Sequence, residues 1–128
     1  MGCYAKGSAM QNKAAREEKG IIWMGSSFED LMVFPTDVRK DAGYQLHKIQ
    51  HGIEPEDWKP FSDVGSGVNE IRIRDIHGIY RVMYVAKFDE AIYVLHSFQK
   101  KTQQTSKHDK DIAKMRYNAL VEQRRHSK

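Results

Sequence analysis

Basic side chains recur in the second half of the chain at spacings that could bring them onto one surface. Arg72 and Arg74 alternate with apolar residues in VNEIRIRD (68–75), and Arg81 lies inside the apolar run IYRVMYVA (79–86). The short connection between the two runs predicts an antiparallel hairpin, in which Arg72 or Arg74 lies close to Arg81. Like charges gathered in this way favour an anion, and phosphate is an anion that arginine binds especially well.

The same pattern also has a purely structural interpretation. An arginine within a strongly apolar strand is unfavourable unless a partner holds it. Glu70, two residues before Arg72, is a candidate partner for Arg81 in a buried ion pair. From these residues alone, both interpretations of Arg81 stay open.

The third apolar run, AIYVLHSF (91–98), ends in residues that could add further chemistry. His96 could act as a general acid or base, although a packed core histidine is the commoner role. Phe98 either stacks a base or closes the core, and we favour the core. Lys100 and Lys101 follow the run directly and extend the basic surface.

A histidine pair raises the question of a metal. His47 and His51 are four residues apart in HKIQH, which is metal-ligand spacing on a helix. The pattern lacks the glutamate of the metalloprotease motif, and no third ligand is visible in the sequence. We therefore interpret the pair as part of a solvated helix face and expect neither a metal nor another cofactor.

Length and composition limit the class of protein. The 128 residues suffice for one domain, with 40% hydrophobic and 30% charged residues. The single cysteine, Cys3, excludes a disulfide framework and a cysteine-based zinc cage within one chain. No run of 18 apolar residues occurs and the first 20 residues lack a signal-like apolar stretch, so we expect a reduced, cytoplasmic protein.

The net charge of +4 is unevenly distributed. Residues 97–128 contain nine Lys/Arg against three Asp/Glu, whereas residues 21–96 contain eight against twelve. A basic terminal segment indicates a polyanion such as RNA or DNA, or an acidic protein partner.

Periodicity and turn residues place the first elements. Residues 1–19 lack periodicity and are interpreted as a disordered or flexible extension, and residues 20–128 as one domain. GIIWMG (20–25) predicts a short strand. A helix over about 27–33 follows, with Ser26 and Glu29 as a capping box. A second helix begins near Pro35 and ends before Gly52, with one apolar face made of Val38, Ala42, Leu46 and Ile49.

The second half of the chain predicts a meander and a terminal helix. Residues 53–67 are interpreted as a loop, and the three runs at 68–75, 79–86 and 91–98 as consecutive antiparallel strands. Asp109 is expected to cap a helix over about 110–125 that directs Ile112, Met115 and Ala119 inward. The fold class is α+β: an antiparallel sheet of one N-terminal strand plus the meander, two N-terminal helices and a basic C-terminal helix.

Four stretches together resemble the phage-derived, HigB-like branch of the RelE/HigB toxin family, within the RelE/ParE superfamily. The resemblance runs from Ile21 to about Lys110, and its motifs occur in the family's order and at compatible spacing. The stretches are IIWMGSSFEDLMVFPTDVRKDAGYQL, GSGVNEIRIRD, YRVMYVAKF and AIYVLHSFQKKTQQT. The resemblance implies a small RelE-like α+β fold and a toxin of a type II toxin–antitoxin system.

The resemblance also implies roles for individual residues. Arg81 matches the arginine that contacts the scissile phosphate, and Lys100 and Lys101 match the basic end of the final strand. The expected catalytic residues are Arg72, Arg81, His96, Lys100 and Lys101, and the expected RNA-binding residues are Arg74, Phe98 and Lys107.

Two family features have no counterpart in the sequence. Tyr117 lies too deep in the terminal helix to stand for the family's C-terminal tyrosine. No carboxylate–histidine pair is visible beside His96. The identity of the general base is left open between Lys100, Lys101 and His96.

The expected activity is metal-free cleavage of mRNA on the ribosome, which inhibits translation. The expected partners are a cognate helix-turn-helix antitoxin, in a toxin–antitoxin hetero-oligomer, and ribosome-bound mRNA, with no membrane. One alternative is a gyrase-directed, ParE-like toxin, against which the basic cluster argues. The other is a phage-derived binding module without catalytic activity.

Overall fold

A computed structural model describes residues 18–101 and 104–126. The predicted α+β class is confirmed, with three helices and five strands in this part of the chain. In chain order the elements are β1 (Gly20–Trp23), α1 (Ser27–Met32), α2 (Thr36–Gln50), β2 (Trp58–Pro60), β3 (Val68–Asp75), β4 (Gly78–Val85), β5 (Ala91–Lys100) and α3 (Lys107–His126).

The five strands form one mixed sheet in the order β1-β5-β4-β3-β2. The meander is confirmed, because β3 pairs antiparallel with β4 and β4 with β5. The expectation of a wholly antiparallel sheet is wrong, since β1 runs parallel to β5, with Gly20 across from Ala91. Two helices lie between β1 and the meander in the chain, so no short turn fixes the direction of β1.

The segment expected to be a loop contains an edge strand. Residues 58–60 of β2 pair antiparallel with β3, with Lys59 across from Glu70. This strand is only three residues long and includes Pro60, so it has neither the length nor the alternation that marks a strand in sequence.

One face of the sheet is covered by α1 and α2. The predicted apolar face of α2 is confirmed, since Val38, Ala42, Leu46 and Ile49 are all buried. Gly52 adopts φ 76°, and its N–H donates to the carbonyl of Ile49 at 3.0 Å, which ends the helix as expected. The capping box is wrong, because the Ser26 hydroxyl donates to Asp30 at 2.8 Å and caps no backbone group.

The opposite face is covered in part by α3, through Ala113 and Leu120. The predicted inward face is wrong, since Met115 is 62% exposed. Ala113 and Met115 are two positions apart, which places them about 200° apart around the helix axis. The start of the helix also differs: the Ser106 hydroxyl, and not Asp109, accepts a backbone bond, from the N–H of Asp109 at 3.1 Å.

Residues 18 and 19 are packed against the domain, whereas residues 1–17 lie outside the described part of the chain. The N–H of Lys19 donates to the carbonyl of Gln50 at 3.2 Å. Its Nζ donates to the carbonyls of Ala86 and Phe88 at 3.0 and 2.8 Å. The anchored part of the chain therefore begins before Gly20.

None of the helices in the described ranges combines the length and the apolar character that crossing a membrane requires.

Candidate nucleic-acid interface

A β-bulge in β5 decides which side chains share the face of the sheet beneath α3. Tyr84 lies across from Val94, but the next residue back on β4, Met83, lies across from His96, so Leu95 is the extra residue. Leu95 and Met83 both belong to the core under α3. The bulge therefore brings His96 onto the same face as Leu95, although the two are neighbours in sequence.

Basic residues of four strands meet on this face at the end away from the bulge. Arg72 lies across from Arg81, Arg81 across from Phe98, and Lys59 across from Glu70. Directly paired residues in a sheet share a face. The set, here called the basic face, consists of Lys59, Glu70, Arg72, Arg74, Arg81, His96, Phe98 and Lys100.

Arg81 is held in a buried ion pair with Glu70. The side chains are 3% and 0% exposed, and Nη1 of Arg81 donates to Oε1 of Glu70. Within the described ranges, Nε of Arg81 and Oε2 of Glu70 have no hydrogen-bond partner. Arg81 is therefore held in the buried ion pair that the structural interpretation describes. Its guanidinium lies beneath the basic face and does not reach the surface.

Arg72 is partly exposed and is held by a single carboxylate. Its Nε and Nη2 donate to Oδ1 of Asp57 at 3.1 and 3.0 Å, and the Arg72 side chain is 28% exposed. Its backbone N–H also donates to the carbonyl of Asp57, at 2.9 Å. Asp57 was not singled out in the sequence, because it lies in the segment interpreted as a loop.

Lys100 lies among these cations. Its pKa is lowered from the ordinary value of 10.5, first by partial burial and then by the charges of Arg81, Lys59 and Arg72, while Glu70 opposes the shift. Lys59 is a member that the sequence analysis missed, because the strand that carries it was not predicted. A lysine with a lowered pKa among arginines is better suited to accept a proton than an ordinary surface lysine.

A carboxylate–histidine pair is present, contrary to the sequence expectation. His96 is 5% exposed, and its Nε2 lies 2.7 Å from Oδ1 of Asp109 on α3. Burial lowers the pKa of His96, and the bond to Asp109 opposes that shift. Asp109 lies on α3, nine residues after the end of β5 in sequence, so only the packing of α3 reveals it as a partner.

His96 is also stacked on an aromatic ring. The rings of His96 and Phe98 are 4.8 Å apart and 15° from parallel. Phe98 is only 7% exposed. The core interpretation of Phe98 is the one that this arrangement favours, because the ring is not presented to a base from solvent.

The remaining predicted residues lie around the basic face. Arg74 and Lys101 are exposed. Lys107 begins α3, is 88% exposed and pairs with Asp111 at 2.7 Å. Tyr117 donates from its hydroxyl to the carbonyl of Ser66 at 2.9 Å.

A hollow of about 280 Å³ lies on the opposite face of the sheet, beside α2. Lys19 in its lining already donates to two backbone carbonyls, and burial raises the pKa of Tyr84 there to about 12. A phenol with this pKa stays protonated near neutral pH. Among the described residues the lining of the hollow has a single lysine and no arginine, so it offers no basic cluster, and the basic face is the better candidate site for a phosphate.

Comparison with known proteins identifies the family. Residues 29–118 match the model of the phage-derived Gp49-like proteins (DUF891), a family of RelE/HigB-like toxin type. The match covers well over half of the chain, so this chain belongs to that family. No curated protein matches the chain closely.

Proposed function

We propose that this protein is the toxin of a type II toxin–antitoxin system, of the HigB-like branch, and that it cleaves mRNA on the ribosome. The observation that carries the proposal is Lys100, which lies on a basic sheet face in a chain of toxin-type family. Its lowered pKa and its cationic neighbours together suit cleavage of a phosphodiester.

The accessible cations of the basic face are suited to hold the phosphate. Arg72 is partly exposed and keeps part of its donor set free of Asp57, while Lys59 and Arg74 are exposed. Arginine donors bind phosphate oxygens with matching geometry, and preorganised donors stabilise the charge that develops in the transition state. Arg81 acts from below, where its charge lowers the pKa of Lys100 and its partner Glu70 opposes that shift.

The proposed reaction is an internal transfer within the RNA strand. The 2′-oxygen of the ribose forms a bond to the adjacent phosphorus, and the bond from phosphorus to the 5′-oxygen breaks. Lys100 in its neutral form takes the proton of the 2′-hydroxyl, and the leaving 5′-oxygen receives a proton from solvent water. We assign the base to Lys100 over His96 because the His96 ring is 5% exposed and packed between Phe98 and Asp109.

The proposed partner is a helix-turn-helix antitoxin whose acidic segment covers the basic face. The exposed cations of the basic face repel one another. They therefore attract an acidic segment and raise its association rate. An antitoxin bound elsewhere could still inhibit by blocking entry to the ribosome. A complex that leaves Arg72 and Lys100 open and still fits the ribosomal site would contradict both forms of inhibition.

The test is induced expression of the chain in a bacterial host, followed by mapping of mRNA ends on purified ribosomes. We expect growth arrest, rescue by the adjacent antitoxin gene, and cleavage within ribosome-bound mRNA. Lys100→Ala and Arg72→Ala should each lower the cleavage rate by about 10²–10³. Lys40→Ala is the matched control, because Lys40 is exposed on α2 beyond the opposite face of the sheet.

Both active-site variants are chosen so that they fold. Lys100 forms no buried ion pair with any of the described residues, and the partly exposed pair of Arg72 with Asp57 is worth at most about 1 kcal/mol. Folded variants that cut ribosome-bound mRNA as fast as the parent protein would overturn the proposed site. Inhibition of gyrase supercoiling without mRNA cleavage would favour the ParE-like alternative, and the absence of any growth effect would favour a binding module.

A further inference from the structure

Three potential metal ligands meet outside the basic face, where the segment before β1 crosses α2. Oε2 of Glu18 lies 3.5 Å from Nδ1 of His47 and 4.0 Å from Nε2 of His51. All three ligand atoms lie within 4.8 Å of one another. Glu18 is the third ligand that the spacing of the two histidines alone did not reveal.

The two distances from Glu18 are close to those of a tetrahedral site, and the third, between the two histidine nitrogens, lies within 4.8 Å. With metal–ligand bonds of about 2.0–2.2 Å, the ligand atoms of a tetrahedral zinc site lie roughly 3.3–3.5 Å apart. The Glu18–His47 separation already has this value, and the Glu18–His51 separation exceeds it by about half an ångström. Small side-chain rotations at the surface close that difference.

The ring of His51 is oriented for ligation by its own helix. Its Nδ1 lies 3.0 Å from the backbone carbonyl of His47. A carbonyl only accepts, so Nδ1 donates here, and Nε2 is the ring nitrogen that faces Glu18. A hydrogen bond of this kind, from the ring nitrogen that does not bind the metal to a carbonyl, is the usual way in which proteins orient a metal-binding histidine.

Glu18 is held against α2 by its neighbour in the chain. The N–H of Lys19 donates to the carbonyl of Gln50 at 3.2 Å, and the Gln50 side chain donates to the carbonyl of Lys19 at 2.6 Å. The Lys19 side chain is bound on the far side by the carbonyls of Ala86 and Phe88. The backbone next to Glu18 is therefore fixed by hydrogen bonds within the chain itself.

We propose that Glu18, His47 and His51 bind a divalent transition-metal ion, with Zn²⁺ as the favoured ion and water in the fourth position. Two imidazoles and one carboxylate suit Zn²⁺ better than Mg²⁺ or Ca²⁺, which prefer all-oxygen sites. The bound ion ties the start of the domain to α2 and stabilises the folded chain by mass action. This site is independent of the proposed nuclease function.

The test is a calorimetric titration of the full, untagged chain with Zn²⁺ at pH 7.5. We expect one ion per chain, and a melting temperature that rises with Zn²⁺ concentration. His47→Ala, His51→Ala and Glu18→Gln should each weaken binding by at least about tenfold, because even the loss of a group that only hydrogen-bonds to a metal ligand costs about 10–100-fold. Absorption bands of tetrahedral Co²⁺ would report the geometry directly.

Two matched controls separate this site from other metal binding. His126 also faces a glutamate four residues away, Glu122 at 2.8 Å, but without a second histidine. His126→Ala should therefore leave the affinity unchanged, as should Cys3→Ser. Absence of Zn²⁺ binding by the parent chain overturns the proposal, and so does unchanged affinity in any of the three ligand variants.

Discussion

Arg81 and Glu70 form a diagonal ion pair between β4 and β3 that is closed to solvent. Glu70 lies directly across from Met83, and Arg81 directly across from Arg72, so the two charged side chains meet across one step of the ladder. The exposed fractions are 3% for Arg81 and 0% for Glu70. A pair in this position is a structural unit whose halves depend on each other.

We expect Arg81→Ala to lower the free energy of unfolding by about 3–5 kcal/mol, because it leaves the Glu70 carboxylate buried without its partner. Replacing both residues by apolar ones, as Arg81→Met with Glu70→Leu, should cost far less or even stabilise. Urea unfolding of Arg81→Met, of Glu70→Leu and of the double variant measures the coupling energy between the two side chains. A small loss in the single Arg81→Ala variant would mean that the pair contributes nothing in solution.

The buried His96 should make stability depend on pH. Its folded pKa lies below the ordinary 6.5, so the unfolded chain takes up a proton first as the pH falls. This contribution is fully present above about pH 6.5 and is lost as the pH falls toward the folded pKa, at about 1.4 kcal/mol per unit between the two pKa values. Melting curves from pH 8 to 5 should fall less steeply for His96→Gln. Equal slopes in both proteins would contradict the depressed pKa.

The basic face should also be visible in the titration of Lys100. Arg72 and Lys59 both lower its pKa, so Arg72→Gln and Lys59→Gln should each raise it toward 10.5. Side-chain NMR of the Lys100 amine measures this pKa directly in each variant. The distant variant Lys40→Gln should leave the Lys100 titration where it was. If Lys100 is the base, the cleavage rate should rise with pH up to its folded pKa.

Two glycine-to-alanine replacements should have opposite effects. Gly25 has φ 55°, and an added Cβ would collide with the guanidinium of Arg116. That guanidinium donates to the carbonyl of the bulge residue Leu95 at 2.8 Å and to the Ser26 hydroxyl at 3.1 Å. We expect Gly25→Ala to cost more than about 1–2 kcal/mol in unfolding free energy.

Gly43 is the matched case, because it is exposed on α2 and an added Cβ there meets nothing within 4 Å. Gly43→Ala should stabilise the protein by about 0.5–1 kcal/mol through the helix preference of alanine. Chemical denaturation of both variants under one set of conditions provides the comparison. A destabilised Gly43→Ala, or a neutral Gly25→Ala, would contradict the local backbone assignments.

Local pattern was enough to predict the elements whose signals are short-range. The apolar face of α2, its end at Gly52 and the three-stranded meander all depend on residues within a few positions of one another. The fold class follows from those elements. The basic face was predicted in part, because Arg72 and Arg81 lie on consecutive strands whose pairing a short turn fixes.

Features that depend on distant packing could not be predicted. The direction of β1, the strand that carries Lys59 and the partnership of His96 with Asp109 each join segments with no short connection between them. The bulge at Leu95 leaves no clear mark in AIYVLHSF, yet it decides which face His96 occupies. The third member of the histidine cluster, Glu18, comes from a segment whose sequence has no periodicity.

The parallel pairing of β1 with β5 has a consequence for the order in which the chain folds during synthesis. Gly20 of β1 pairs with Ala91 of β5, so the sheet hydrogen bonds of β1 cannot form until β5 has been synthesised. A contact between residues so far apart in sequence closes late, because the loop entropy must be lost before the pairing compensates for it. Lys100 is the final residue of the same late strand. A nascent chain therefore carries no assembled basic face until β5 has left the ribosome, although the strands that carry Arg72 and Arg81 are made earlier.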